Sequence, residues 1–252
     1  MALIGHTPFF ALGLVEFDPR RYYLANMKAI FLLIAIFSFG CGPATDANNF
    51  VRNTNASSNT NASPTPKPDQ ALIKQLEEIS KESKGKVGVS AVLIETGETV
   101  GINQNESFAM RSGGKLPISM AVINLAQQGK LTREQTVAFS KDDLVPANMR
   151  SPIRDKNPNG GEMALEELIR LAISESDGTA ADVLQRVAGG ADGVQAYIDS
   201  IGVKDMQVKY THKEFGAEWS YQYENWATPD AAVALLRSLW GQRDCPKGWK
   251  CE

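Results

Sequence analysis

The sequence predicts a fold of the α+β class, with α/β as the alternative that these elements leave open. Residues 86–95 carry apolar side chains at every second position, and Thr96-Gly97 supplies a turn into a second strand at residues 98–104. One helix is predicted before this hairpin and a long helical stretch after it. The middle of the chain is therefore expected to be mostly helical, following a two-stranded hairpin.

The helices follow in order along the chain. The first is predicted over residues 69–84, because apolar residues recur on one face and Gly85 is a natural end. An apolar helix over residues 116–128 opens the long stretch. Thr132 with Gln135 resembles a capping box and predicts a short helix there. Apolar spacing and end signals predict the remaining helices at residues 165–174, 179–187, 192–201 and 231–240.

The composition narrows the class of protein. The chain has 252 residues, of which 43% are hydrophobic, and a formal net charge of −3. These values fit one or two soluble globular domains, and the near-neutral charge gives no reason to expect a nucleic-acid partner. With two histidines, and three cysteines that lack metal-finger spacing, the sequence excludes a histidine-rich metal site.

Residues 1–41 are interpreted as a leader. Met27 and Lys28 precede an uncharged, mostly apolar run, and Gly40-Cys41 follows it, a pattern typical of a lipoprotein signal that is lipidated at Cys41. An ordinary secretory signal, with Cys41 incidental, is the alternative. The run is shorter than the roughly 20 apolar residues that a permanent membrane span needs. Because charged residues come before the run, we expect translation to start at Met27.

Composition also divides the rest of the chain. Residues 42–68 are mainly Asn, Ser, Thr, Ala and Pro, which cannot bury enough apolar surface to order the segment, so a disordered linker is predicted. Residues 69–240 carry the predicted elements and form the globular domain. Residues 241–252 are interpreted as an unrelated tail. The linker would hold the domain away from a membrane surface.

Ser112 and Lys115 are the candidate reactive pair. If Ser112 opens the apolar helix, Lys115 lies one turn later on the same face, within reach of the hydroxyl. A serine hydroxyl needs a neighbouring base to become a nucleophile, and a lysine in a dry pocket can lose its proton and serve as that base. Taken alone, the spacing also fits a capping serine and a solvated lysine.

The surroundings of this pair resemble the nucleophile segment of class A β-lactamases. The sequence F-A-M-R-S-G-G-K-L-P-I follows the hairpin at residues 108–118. Other motifs of that family come in the same order, at residues 142–146, 151–153 and 175–182. The sequence Y-E-N-W-A-T-P at residues 223–229 is similar to the extended-spectrum branch. The resemblance extends over residues 69–240.

The resemblance implies a multi-domain β-lactamase-like (DD-peptidase-like) fold of the α+β class. A helical subdomain and an antiparallel sheet would enclose the active site between them. Ser112 would attack the lactam carbonyl to give an acyl-enzyme, Lys115 would transfer protons, and Ser176 would pass a proton to the lactam nitrogen. Asp177 and Gly178 fall in the substrate-binding motif. No metal or organic cofactor is expected, and we expect a monomer.

The sequence departs from the family in the helix turn and in the substrate-binding motif. Gly113 and Gly114 stand where bulkier residues are usual, and each costs roughly 1 kcal/mol of helix stability relative to alanine. Gly178 replaces an asparagine whose side chain touches the substrate amide and the lysine. We interpret that replacement as a sign of altered specificity; a tolerated variant, in which water fills the gap, is the alternative.

The deacylating glutamate of the family is a third departure. Counting back from Asn225-Trp226 places His212 at its position, and Glu214 lies two residues further on. A histidine can act as a base near pH 7, and Glu214 can substitute if the loop shifts its register. An exposed loop histidine without a role is the remaining alternative.

The end of the chain is the fourth departure. No Lys-Thr-Gly or Lys-Ser-Gly triplet occurs in the sequence, although in the family its strand supplies a cationic anchor and one oxyanion-hole N–H. We therefore expect the chain to stop before the sheet is complete, with activity reduced or lost. Cys245 and Cys251 either pair in an oxidising periplasm or belong to a frame-shifted or truncated end.

The leading hypothesis is hydrolysis of the β-lactam amide of penicillins and cephalosporins. A penicillin-binding protein that acylates without turnover is the first alternative, and a non-catalytic remnant is the second. The expected partners are a small β-lactam substrate and, through a lipid anchor only, the membrane. The expected location is the periplasm.

Overall fold

The computed structural model describes residues 69–83 and 85–241, which form helices and short antiparallel strands. The predicted α+β class is confirmed. Within these residues no helix has both the length and the apolar character that crossing a membrane requires. The predicted leader with Cys41, the linker of residues 42–68, and residues 242–252 lie outside the described residues.

The elements follow the predicted order, with additional strands between the helices. The helices are α1 Gln70–Lys81, α2 Lys115–Gln127, α3 Pro152–Lys156, α4 Leu165–Ser174, α5 Gly178–Val187, α6 Gly190–Ser200, α7 His212–Ala217 and α8 Pro229–Gly241. The strands are β1 Val89–Val92, β2 Thr99–Ile102, β3 Phe108–Ala109, β4 Thr136–Ser140, β5 Gly160–Ala164, β6 Met206–Gln207 and β7 Trp226–Ala227.

The predicted hairpin is present and forms its own two-stranded sheet. β1 and β2 pair antiparallel, with Val89 opposite Ile102 and Val92 opposite Thr99. Gly97 in the turn has a φ of 72°, a left-handed value that favours glycine. Helix α1 packs on β2 and helix α8 packs on β1. This is the sheet part that the sequence predicts.

The hydrophobic core lies in the helical part, around α2. This helix is apolar on nearly every side, and α4, α5 and α6 pack against it. Burial of one large aliphatic side chain stabilises the fold by about 1.5–3 kcal/mol. The largest fully buried side chains include Ile118, Leu165, Leu168, Leu184 and Ile198. Because α2 begins at Lys115, the core fixes the position of the predicted base.

Strand β7 joins the segment before Ser112 to the loop before α7. It pairs with β3 on one side and with β6 on the other. The Met110 amide donates to the Asn225 carbonyl at 2.8 Å. The Asn225 side chain accepts from the amides of Lys209 and Tyr210 at 2.8 and 2.9 Å and donates to the Tyr210 carbonyl at 2.8 Å. Asn225 therefore fixes these two segments relative to each other.

The predicted short helix after Thr132 is wrong. The Gln135 amide donates to the Thr132 carbonyl at 3.2 Å to close a turn, and β4 follows, paired antiparallel with β5. Val137 and Phe139 are buried while the other residues of β4 are exposed, so the period along this segment is that of a strand. Strand β5 has the sequence G-G-E-M-A, which lacks the residues enriched in strands.

Candidate active site

Ser112 and Lys115 lie together at the start of α2. Ser112 is in a short 3₁₀ turn, Arg111–Gly114, rather than in the α-helix itself, and Lys115 is the first residue of α2. The Lys115 Nζ is 3.5 Å from the Ser112 Oγ. Lys115 is only 4% exposed, which excludes a solvated surface lysine. The predicted pair is therefore brought together with its amine buried.

Burial changes the proton affinity of Lys115. It lowers the pKa of the amine from 10.5 to about 8, and the negative charges of Asp182 and Asp177 oppose this effect only partly. Loss of a proton costs such an amine little free energy near neutral pH. Lys115 can therefore accept a proton from the Ser112 hydroxyl.

We expect the lowered pKa of Lys115 to appear in the pH dependence of stability. Below pH 8 both the folded and the unfolded chain hold this proton, and burial of the charge is fully unfavourable. Between pH 8 and 10.5 the unfolded state holds more protons, so stability rises with pH. Between pH 7 and pH 9.5 the free energy of unfolding should rise by about 2 kcal/mol because of this one group.

Urea denaturation of the parent protein and of Lys115→Met at both pH values measures this gain. The free-energy advantage of the methionine variant should shrink by that amount as the pH rises. The same change at the exposed Lys204 is the matched control. An advantage of Lys115→Met that stays constant between the two pH values would contradict the prediction.

Ser176 completes a chain of hydroxyl and amine groups. Its Oγ donates to the Ser112 Oγ at 3.0 Å, across the gap between the α4–α5 loop and α2. Ser176 has a φ of 54°, and Arg111, which precedes Ser112, has a φ of 52°. A left-handed conformation costs a non-glycine residue about 1 kcal/mol or more, so the surrounding contacts hold both segments in place.

Asp177 serves the scaffold rather than the pocket. Its carboxylate is fully buried and accepts from the Ser151 hydroxyl at 2.9 Å, the Ile153 amide at 2.7 Å and the Ala180 amide at 3.0 Å. These bonds cap α5 and attach α3 to it. Both oxygens are occupied, so the geometry does not support the predicted contact of Asp177 with a substrate.

Gly178, predicted to bind substrate, lines the pocket and is closely surrounded. A Cβ atom there would lie 3.2 Å from the Arg150 carbonyl oxygen, 3.3 Å from Val145 and 3.4 Å from the His212 Cβ. An asparagine at this position would force these neighbours apart. The glycine therefore fits the way His212 and Arg150 pack against α5.

His212 is buried at the start of α7. It is 3% exposed, which excludes an exposed loop histidine. Its Nδ1 lies 3.0 Å from the Asp182 Oδ1. Burial, the largest influence, lowers the pKa of the His212 imidazole, as does the charge of Lys115, whereas Asp182 raises it.

Glu214 is turned away from the pocket. Its carboxylate accepts from the Thr211 amide at 2.7 Å and from the Thr211 hydroxyl at 2.8 Å, which forms a capping box on α7. The side chain is exposed and is absent from the lining of the pocket. The geometry therefore supports His212, and not Glu214, as the candidate base.

These groups share a pocket of about 220 Å³. A larger groove of about 560 Å³ lies beside α1 and β2. Its lining contains a serine but no lysine or histidine that could activate it. Within the described ranges, no three acidic, histidine or cysteine side chains are arranged to hold a metal ion. The reactive side chains that line the smaller pocket are Ser112, Lys115, Ser176 and His212, with Arg111, Arg150 and Gln222 beside them.

Sequence reasoning missed the contributions of Asp182 and Gln222. Asp182 lies one turn after Gly178 on α5, so an acidic residue on the same helix face as Gly178 was the available signal. Gln222 is 2% exposed in an irregular 3₁₀ segment, Trp219–Glu224, where no periodicity marks a buried residue.

Comparisons with known proteins match the fold and the order of these residues. A family model described as the β-lactamase enzyme family matches residues 71–250, past the predicted domain end at residue 240. β-Lactamase VEB-1 of Pseudomonas aeruginosa is 31% identical over 173 residues, which are 69% of this chain and 58% of VEB-1. The extended-spectrum β-lactamase PER-1 of the same organism is 32% identical over 67% of this chain and 54% of its own length. The chain thus spans less than two thirds of either relative.

Solved structures give the same result. A β-lactamase from Chitinophaga pinensis superposes with a TM-score of 0.65 at 33% identity, over 69% of this chain and 64% of that chain. A class A β-lactamase from Bacteroides cellulosilyticus superposes with a TM-score of 0.63 at 30% identity, over 70% of this chain and 63% of that chain. Because the family match extends over more than half of the sequence, the chain belongs to the β-lactamase enzyme family, within class A, as the motifs around Ser112 and Ser176 predict.

Proposed function

We propose that this protein hydrolyses the β-lactam amide of penicillins and cephalosporins through an acyl-enzyme on Ser112, and so confers antibiotic resistance. The observation that carries the proposal is the position of the Ser112 Oγ, 3.5 Å from the Lys115 Nζ and 3.0 Å from the Ser176 Oγ. The names of VEB-1 and PER-1 as β-lactamases support the substrate class.

In the proposed acylation Lys115 acts first as a base. With a pKa of about 8, its neutral form takes the Ser112 proton directly or through water. The Ser112 oxygen then bonds to the lactam carbonyl carbon, and the C–N bond of the ring breaks. The Ser176 hydroxyl gives a proton to the departing nitrogen and recovers one from the Lys115 ammonium, directly or through water, so both groups return to their starting forms. The ester that remains is the acyl-enzyme.

The charge of the pocket suits an anionic substrate. Arg111 and Arg150 line it together with Lys115. The Arg111 guanidinium stacks on the Trp219 ring at 4.5 Å, and Arg150 bonds to the Glu175 side chain at 3.1 Å, so both cations are held in place. We propose that they attract the substrate carboxylate and that His212 serves the deacylation step.

We further propose that the protein is exported to the periplasm, anchored by lipid at Cys41, and active as a monomer. The leader pattern that ends at Gly40-Cys41 and the polar composition of residues 42–68 support export and anchoring.

A chromogenic cephalosporin and intact-protein mass spectrometry test the proposed activity. We expect steady hydrolysis of the cephalosporin by the purified full chain. Mixing with benzylpenicillin and quenching within seconds should give a transient mass increase equal to that of the penicillin, located on the peptide that contains Ser112. Absence of both turnover and the mass increase would refute the function, and a modification on another residue would refute the role of Ser112.

A further inference from the structure

Asp182 holds the start of α7 through three hydrogen bonds, two of them to His212. Its Oδ1 accepts from the His212 amide at 2.7 Å and lies 3.0 Å from the Nδ1 of the ring. Its Oδ2 accepts from the Lys213 amide at 2.8 Å. The carboxylate thus holds both the backbone at the start of α7 and the plane of the imidazole.

This arrangement determines which ring nitrogen carries the proton. An ionised carboxylate can only accept hydrogen bonds, so the Nδ1 facing Asp182 must be the protonated nitrogen. The Nε2 of a neutral His212 then has a free lone pair. That atom is buried without a hydrogen-bond partner among the described residues, and the side chain lines the pocket that holds Ser112.

Gln222 presents a second polar group to the same pocket. Its side chain is 2% exposed, and neither the Oε1 nor the Nε2 has a partner among residues 69–83 and 85–241. A buried amide without partners costs about 1–3 kcal/mol, so such groups are normally satisfied by a ligand or an ordered water. A water needs two to four polar partners, and the His212 nitrogen and the Gln222 amide together supply this number.

We propose that His212 is the catalytic base that activates the hydrolytic water, with Asp182 as a positioning residue for the ring and Gln222 as a second ligand of the water. This inference rests on the proposed acyl-enzyme on Ser112. A histidine–aspartate pair would then do what a glutamate does elsewhere in the family.

The proposed step balances in protons and bonds. The His212 Nε2 removes a proton from the water while the water oxygen bonds to the ester carbonyl carbon. The tetrahedral intermediate collapses, and the bond between this carbon and the Ser112 oxygen breaks. The Ser112 oxygen recovers a proton from the imidazolium, which returns His212 to its neutral form. Asp182 stays ionised throughout and stabilises the imidazolium between the two transfers.

The charges around His212 give the step a pH signature. The ionised groups that act on the ring are Asp182 and Asp177 from α5 and Lys115 from α2. Glu224, in the 3₁₀ segment packed on α7, pairs instead with Lys209 at 3.0 Å. Asp182 raises the pKa of the His212 imidazole. Replacement of Asp182 by asparagine should therefore move the acidic limb of the pH–rate profile for deacylation to lower pH.

Rates of acylation and deacylation measured separately test the proposal. Intact-protein mass spectrometry after mixing with benzylpenicillin follows both steps in the parent, His212→Gln, Asp182→Asn and Gln222→Leu. We expect His212→Gln to form the acyl-enzyme within a few-fold of the parent rate and to lose it about 100- to 1000-fold more slowly. Asp182→Asn should also slow deacylation and shift its acidic limb downward, and Gln222→Leu should slow it without shifting the limb.

A control variant, and the results that would contradict the role of His212, distinguish this inference from the proposed function. Asp199→Asn makes the same chemical change at an exposed position of α6 and should leave both rates unchanged. Parent-like deacylation in His212→Gln, or accumulation of acyl-enzyme in Glu214→Gln, would overturn the inference. So would an Asp182→Asn variant whose acidic limb does not move. Absence of both cephalosporin turnover and acyl-enzyme in the parent would overturn the proposed function instead.

Discussion

Replacement of Ser112 by alanine is expected to abolish penicillin acylation and to lower the cephalosporin turnover rate by roughly 1000-fold or more. The Ser112 Oγ lies 3.5 Å from the Lys115 Nζ and 3.0 Å from the Ser176 Oγ, and replacement by alanine removes this oxygen alone. The remaining amine and hydroxyl cannot form the ester. Stopped-flow absorbance with the chromogenic cephalosporin measures the loss, and mass spectrometry checks that no adduct forms.

A serine on the same helix provides the matched control. Ser119 lies on α2 with its Oγ buried and without a partner among the described residues, outside the pocket lining. Because no hydrogen bond is lost there, Ser119→Ala should keep full turnover and full stability. Retained hydrolysis in Ser112→Ala would show that another residue is the nucleophile.

The second large effect is expected at Asp177. Alanine at this position leaves the amides of Ile153 and Ala180 without their acceptor in a buried environment, and the Ser151 hydroxyl keeps only the Thr179 hydroxyl as an acceptor. We expect a loss of about 3–5 kcal/mol in the free energy of unfolding, as for other broken buried networks around a charge. Urea denaturation followed by circular dichroism measures it.

An exposed aspartate serves as the control that shows how much of the lost free energy of unfolding depends on burial of the carboxylate. Asp155 in α3 pairs with Arg154 at 2.7 Å, but 64% of its side chain is exposed to solvent. Such surface pairs contribute about 0–1 kcal/mol, so Asp155→Ala should stay within that range. If Asp177→Ala were no more destabilising than Asp155→Ala, the proposed attachment of α3 to α5 through this carboxylate would be wrong.

The helices and the reactive pair could be predicted because their signals are local. The spacing of Ser112 and Lys115 needs only one helical turn, and the predicted helix over residues 165–174 agrees with α4 at both ends. The antiparallel pair of β4 and β5 could not be predicted, because β5 acquires its structure from pairing with β4 rather than from its own residues. In β5, pairing with a neighbouring strand outweighs the low strand propensity of its own residues.

The choice between His212 and Glu214 shows the same limit at the site. The two residues are close in sequence, and both side chains can act as bases. Only the folded chain turns Glu214 back onto Thr211 and brings His212 against Asp182, a residue 30 positions earlier. The amide of Gln222 reaches the pocket from an irregular segment, so its contribution depends entirely on three-dimensional packing.

The hydrogen bonds of Asn225 have a kinetic consequence. This one residue holds the segment that leads to Ser112 through its backbone carbonyl and the loop that leads to His212 through its side-chain amide. Motion of either segment therefore strains the hydrogen bonds of Asn225, so we expect Ser112 and His212 not to move independently of each other. We therefore expect Asn225 to limit the precision of the proposed deacylation step without contacting the substrate.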